Sequence, residues 1–153
     1  MKILKDLALG AGAGLFATYV MTKFQERRSS GKSRGTPATV KLADRVSQTL
    51  VHHPVPKENR KLSGNLVHYG FGAAMGMIYG LLNDRRRAGQ LFSGTGYGTL
   101  VWILADNLLV PLMGLSKWPG KQPLKDHVSA LSSHLVYGKA LSRTLASEKE
   151  ILT

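Results

Sequence analysis

The chain has 153 residues, the usual size of one folding unit, with 21 Lys+Arg against 9 Asp+Glu and a net charge of +12. Cysteine is absent, which excludes disulfide scaffolds, thiolate zinc sites, iron–sulfur clusters and cysteine nucleophiles. The positive charge asks for an anionic partner, either nucleic acid or an anionic membrane face, and most of the 17 glycines sit inside apolar stretches.

Four runs carry no charge: Leu7 to Thr22 (16 residues), Leu62 to Asn83 (22), Ala88 to Ala105 (18) and His127 to Gly138 (12). A spanning helix needs roughly 17–25 mostly apolar residues. The second and third runs qualify outright, and the first does so with Lys5 and Lys23 extending their stems toward headgroups. The fourth qualifies as a helix from about Leu124 to Leu145, with Lys139 snorkelling outward. The expectation is an all-α, integral membrane four-helix bundle forming one domain over 1–153, with spans at about 6–25, 62–83, 88–112 and 124–145.

A mean hydropathy of −0.08 supports a competing reading, a soluble bundle of four glycine-rich core helices. Against it, a soluble helix of ~20 residues shows a charged face, and Leu62 to Asn83 shows none. Glycine also costs ~1 kcal/mol relative to Ala inside a soluble helix, whereas in membranes it lets backbones approach.

In chain order, the first run has the basic start of a secretory signal. Its end, Tyr19-Val20-Met21-Thr22-Lys23, offers no small-residue cleavage site, so it reads as a first span. The segment Lys23 to Lys61 then holds ten Lys/Arg and three acids. Arg27 to Thr36 reads as a mobile linker. Val40, Ala43, Val46, Leu50 and Val51 recur at spacings of three and four, which predicts an amphipathic helix ending near Pro54, inside a basic loop of residues 26–61. Two placements are open for it, the anionic bilayer surface or the mouth of the bundle. Asp84-Arg85-Arg86-Arg87 reads as a tight hairpin, and Ser116 to Lys125, with Trp118, Pro119, Gly120 and Pro123, as an interfacial turn. Loops one and three carry thirteen Lys/Arg against eight elsewhere, which favours a cytoplasmic side for them; the compact Arg85–Arg87 triplet favours the opposite.

Span two carries Gly64, His68, Gly72, Gly76 and Gly80 four apart, a groove along one helix face. Span four repeats the spacing with Ala130, His134, Gly138 and Ser142. Spans one and three open alike, Gly10-x-Gly12-x-Gly14 and Gly94-x-Gly96-x-Gly98, so the chain reads as two similar hairpins, with His68 matched to His134. Candidate helix-packing residues are Gly72, Gly76, Gly80, Gly94, Gly98 and Gly138. His68, Asp106, Asn107 and His134 form a candidate intramembrane polar cluster, since ionisable groups at that depth are costly unless paired or wetted.

Three readings compete for the cluster: interhelical hydrogen bonding, a proton or ion pathway through His68, Asp106 and His134, and a bis-histidine haem between His68 and His134. His52, His53 and His127 lie near loops, as solvated or capping groups. Ser129, Ser132 and Ser133 lack a nucleophile elbow, and no P-loop, dinucleotide fingerprint or His-Glu-x-x-His pattern occurs. The chain is therefore expected to be non-enzymatic, with no catalytic residue, metal or cofactor assigned.

The segments Ala38-Thr39-Val40-Lys41-Leu42-Ala43-Asp44, Leu66-Val67-His68-Tyr69-Gly70-Phe71-Gly72, Ala105-Asp106-Asn107 with Val110-Pro111 and Gly114-Leu115-Ser116, and Ser133-His134-Leu135-Val136-Tyr137-Gly138 resemble the YagU-type family of small bacterial inner-membrane proteins. The resemblance covers about Leu4 to Leu145. It implies a multi-spanning protein of the bacterial inner membrane of unsettled function, with both termini inside. Family members often carry a second carboxylate where this chain has Asn107, and a less basic first loop.

The leading expectation is envelope modulation, or a scaffold or subunit role in a membrane complex. Its partners would be anionic lipid headgroups at the basic loop, at ~1 kcal/mol per near-surface charge, and no nucleic acid. Glycine faces can meet within one chain or between copies, so a homo-oligomer stays open. The alternatives are a small transporter or proton/ion-conducting element, and a haem electron carrier.

Overall fold

The computed structural model describes residues 2–28, 36–83 and 93–151, and every element among them is helical. Helix α1 spans Lys2–Arg28, α2 Ala38–Val51, α3 Arg60–Asn83, α4 Gly94–Val101, α5 Val110–Leu112 and α6 Leu124–Ile151, with a π-helical stretch, Trp102–Leu109, joining α4 to α5. Helix α1 therefore extends through Arg27 and Arg28, into what the sequence suggested was linker; the hairpin at Asp84–Arg87 lies outside the described residues. Among the described residues one helix, Lys2–Arg28, is long and apolar enough to cross a membrane by length and composition.

Glycine decides which helices pair. A Cβ built on Gly14 would lie 2.5 Å from the Gly72 carbonyl oxygen and 3.0 Å from the Gly76 Cα, and one on Gly80 2.5 Å from the Asp6 oxygen. Helices α1 and α3 thus run antiparallel with their backbones touching. The same contact joins α4 to α6, where a Cβ on Gly138 would lie 2.8 Å from the Gly98 nitrogen, and Gly94 and Gly98 press on the Gly138 and His134 carbonyls.

The two pairs correspond, with one change of register from the sequence reading. Gly10 and Gly14 meet Gly76 and Gly72, while Gly94 and Gly98 meet Gly138 and His134. His134 is therefore the counterpart of Gly72, and His68 lies one turn away from the place its match to His134 implied. Spacing within a chain gives the period of a groove; which turn it presents depends on the helix pressed against it.

The pairs join through α1 against α6 and through two tyrosine hydroxyls that donate to α3 carbonyls. Tyr137 Oη reaches the Gly72 oxygen at 2.7 Å and Tyr97 Oη the Met75 oxygen at 2.6 Å. Tyr79 packs against Tyr97 with ring centroids 4.8 Å apart, closing the end of the bundle where α1 begins.

Apolar side chains occupy the core and also cover much of the helix surfaces. Among the described residues the core holds Met21, Val40, Val101, Leu115, Leu141 and Leu145 with the three tyrosines and the small Ala13 and Ala17, and the buried polar side chains are Asp6, Thr18, Ser133 and His134. Phe16, Leu66, Ile78, Ile103, Leu104, Leu108 and Leu112 are exposed on the long helices.

Candidate functional site

The site lies at the opposite end of the bundle, where the glycine contacts give way and the helices diverge. Three local features open it. The first is the π-helical stretch, whose Val110 N–H reaches back five residues to the Ala105 oxygen. Proline at 111 has no N–H to give the ladder, and the widened turns just before it are the form that irregularity takes. The helix runs on through Pro111 to Leu112, where the expected third span, about 88–112, ends.

The second feature is the stop that follows. Gly114 takes a left-handed φ of 66°, its N–H bonds the Pro111 oxygen, and the Leu115 N–H bonds the Val110 oxygen, a glycine C-cap that tucks Leu115 inward. The third is α2. Its Val40 and Ala43 are buried, with Val40 seated over Gly64 of α3. Lys41 Nζ donates to the Leu115 oxygen at 2.9 Å, Arg45 donates to the Met113 oxygen at 2.5 Å, and Asp44 accepts from the Val55 N–H and pairs with Arg60 at 3.6 Å. Helix α2 is therefore fastened over the mouth of the bundle, while Val46, Leu50 and Val51 at its far end stay exposed.

Under α2 lies a half-open cavity of about 390 Å³, lined by residues of α1, α2, α3, α6 and the π-helical segment. His68, Asp106 and His134 share it. His134 Nδ1 is 2.9 Å from the Ala130 oxygen and 3.7 Å from Asp106 Oδ2. A carbonyl can only accept, so the proton sits on Nδ1, and Asp106 contributes charge at a distance too long for a hydrogen bond. The His134 side chain is 10% exposed whereas that of Asp106 keeps 41%, so the carboxylate is open to the cavity. His68 Nε2 is buried with no hydrogen-bond partner among the described residues.

Asn107 stands apart from these three. Its Nδ2 donates to the Trp102 oxygen at 3.0 Å, and it lines a second cavity of about 200 Å³ with Asp126 and His127. Asp106 lines both cavities and so forms the wall between them. His127 is held at the Pro119 oxygen, 2.9 Å away. Ser132 and Ser133 donate to carbonyls four residues back on their own helix.

The sequence reading missed the tyrosines. A signal for them exists: Tyr-Gly occurs at 69–70, 79–80, 97–98 and 137–138. In three of these pairs the glycine brings a neighbouring helix close, and the tyrosine beside it is buried.

Fold and site together define an all-helical bundle with a pocket of apolar walls and a few polar groups beneath an amphipathic cap. Residues 31–142 match the family described as a protein of unknown function, DUF1440, and the chain belongs to that family. No curated protein and no solved structure matches.

Proposed function

We propose that the chain is a multi-pass protein of the bacterial inner membrane in which α1, α3, the run from α4 to α5, and α6 all span the bilayer, at the four spans the sequence suggests, about 6–25, 62–83, 88–112 and 124–145. The observation that carries this reading is the number of large apolar side chains left exposed along the helices. An apolar surface of this extent is ordinarily covered; here lipid would cover it. Serine, threonine and histidine bonding back to their own helices fits a medium that cannot solvate them. The YagU-type resemblance agrees with this reading.

In that setting the protein acts without catalysis, by binding: an intramembrane pocket under α2, with the exposed Val46, Leu50 and Val51 dipping into the headgroup layer and the basic loop held by anionic lipid. Carbonate washing tests the placement. Expected is retention in the membrane pellet, with release by detergent alone; release by carbonate overturns it.

A second reading is favoured by one specific observation, the position of Asp106 between two cavities. A small transporter or proton/ion-conducting element would use His68, Asp106 and His134 as its relay. In reconstituted vesicles that reading predicts cation or proton flux abolished by Asp106→Asn, and unchanged passive leak refutes it.

A further inference from the structure

We infer that the cavity under α2 is a binding site for a lipophilic organic cation, with Asp106 as the counter-charge. Among the described residues that line it, Asp106 is the one side chain with a formal charge. Its exposure to the cavity leaves carboxylate lone pairs for a ligand to meet. His134, which could have neutralised it by close contact, commits its Nδ1 proton to Ala130.

The two cations of α2 are turned away from the cavity. Lys41 Nζ and the Arg45 guanidinium are drawn onto the Leu115 and Met113 carbonyls, and neither residue lines the pocket. Among the described lining residues an anionic ligand would thus meet a carboxylate and no Lys or Arg, a costly arrangement for a desolvated charge. A fully apolar ligand would strand Asp106 and the His68 Nε2 without partners.

The walls supply the other half of the recognition. Met21, Met75 and Met113 line the cavity with Phe71 and Leu109. Thioether side chains adapt to varied apolar shapes, and a ring face attracts a cation. A cavity of about 390 Å³ lies within the range of small-molecule sites, which pair apolar walls with a few placed polar groups. The complementary ligand carries one delocalised or alkylated positive charge on an apolar body.

This inference rests on the binding reading above, and its test separates the two. The full chain in zwitterionic lipid nanodiscs is titrated with tetraphenylphosphonium and, in parallel, with tetraphenylborate, which has the same shape and the opposite charge. Empty nanodiscs give the lipid background. Saturable uptake of one phosphonium per chain is expected, with no saturable borate uptake. Asp106→Asn should weaken phosphonium binding about tenfold or more, as expected for loss of one charge-assisted contact. Met113→Trp keeps the carboxylate but fills the cavity, and should also abolish binding; both variants are checked for wild-type melting and elution. Equal binding of the two ions, or full phosphonium affinity in Asp106→Asn, overturns the inference. A chain that elutes monodisperse without detergent refutes the membrane placement instead, and the same titration then runs in buffer, where Asp106 and the cavity walls still decide the outcome.

Discussion

Two glycine-to-alanine changes on one helix isolate the contribution of backbone contact. A Cβ on Gly76 would lie 2.7 Å from the Gly14 Cα and 2.9 Å from the Gly14 nitrogen, with the Gly10 oxygen closer still, whereas one on Gly70 meets nothing within 4 Å. Ordinary contact begins near 3.4 Å, so Gly76→Ala must move α1 away from α3 by at least 0.7 Å, and both sides of the contact are backbone, which cannot rotate aside. A gap of 0.5–1 Å forfeits roughly a quarter to a half of each dispersion contact along the seam, and overpacking of this kind costs about 1–3 kcal/mol. Helix propensity favours alanine at both sites by about 1 kcal/mol and cancels in the comparison. Gly70→Ala should therefore melt at or slightly above wild type in detergent. Gly76→Ala should melt several degrees below Gly70→Ala, at about 2–4 °C per kcal/mol for a chain of this size. Equal melting of the two variants would refute the claim that glycine contact holds α1 to α3.

Other expectations follow from particular groups. Tyr137→Phe removes the hydroxyl bond to the Gly72 oxygen and should cost about 0.5–1.5 kcal/mol, read as a lower melting temperature with unchanged elution. Burial pushes the Glu148 carboxyl above its ordinary range, and its Oε2 is shielded with no partner among the described residues. A carboxyl raised in the folded state binds more protons there than when unfolded, so stability falls as pH climbs from the unfolded pKa through the folded one. Glu148→Gln should accordingly melt higher than wild type at pH 7 and match it below both pKa values; no difference at pH 7 refutes the burial argument. The purified protein is expected to be colourless. A Soret band lost in His68→Ala would make the two histidines haem ligands.

Much of the fold was legible because charge is a coarse and reliable marker. The uncharged runs at 7–22 and 62–83 lie inside α1 and α3, and the spacing of Val40, Ala43 and Val46 marks α2. What a single chain hides is inter-helix register: His68 and His134 sit in equivalent sequence patterns, yet Gly72 and His134 occupy equivalent places. Both histidines still line one cavity with Asp106, because that grouping depends on which end of each helix they occupy, a property connectivity sets. Asn107 follows Asp106 directly, but successive helical residues diverge by about 100°, and it faces the second cavity. The π-helical widening was hidden for a different reason. Proline announces that a rung is missing, but whether the ladder breaks, kinks or widens is settled by what packs beside it.

The central claim, that the exposed aliphatic faces meet lipid, is open to a direct measurement because the chain has no cysteine. Single cysteines at Phe16, Ile78 and Leu104, all exposed on the bundle surface, are treated with a water-soluble maleimide in native membranes, beside a control at Lys57 in the turn before α3. Rapid labelling is expected at 57, and none at 16, 78 and 104 until the protein is denatured in detergent. Labelling of all four positions at similar rates in intact membranes would contradict it, because those faces would then be in water.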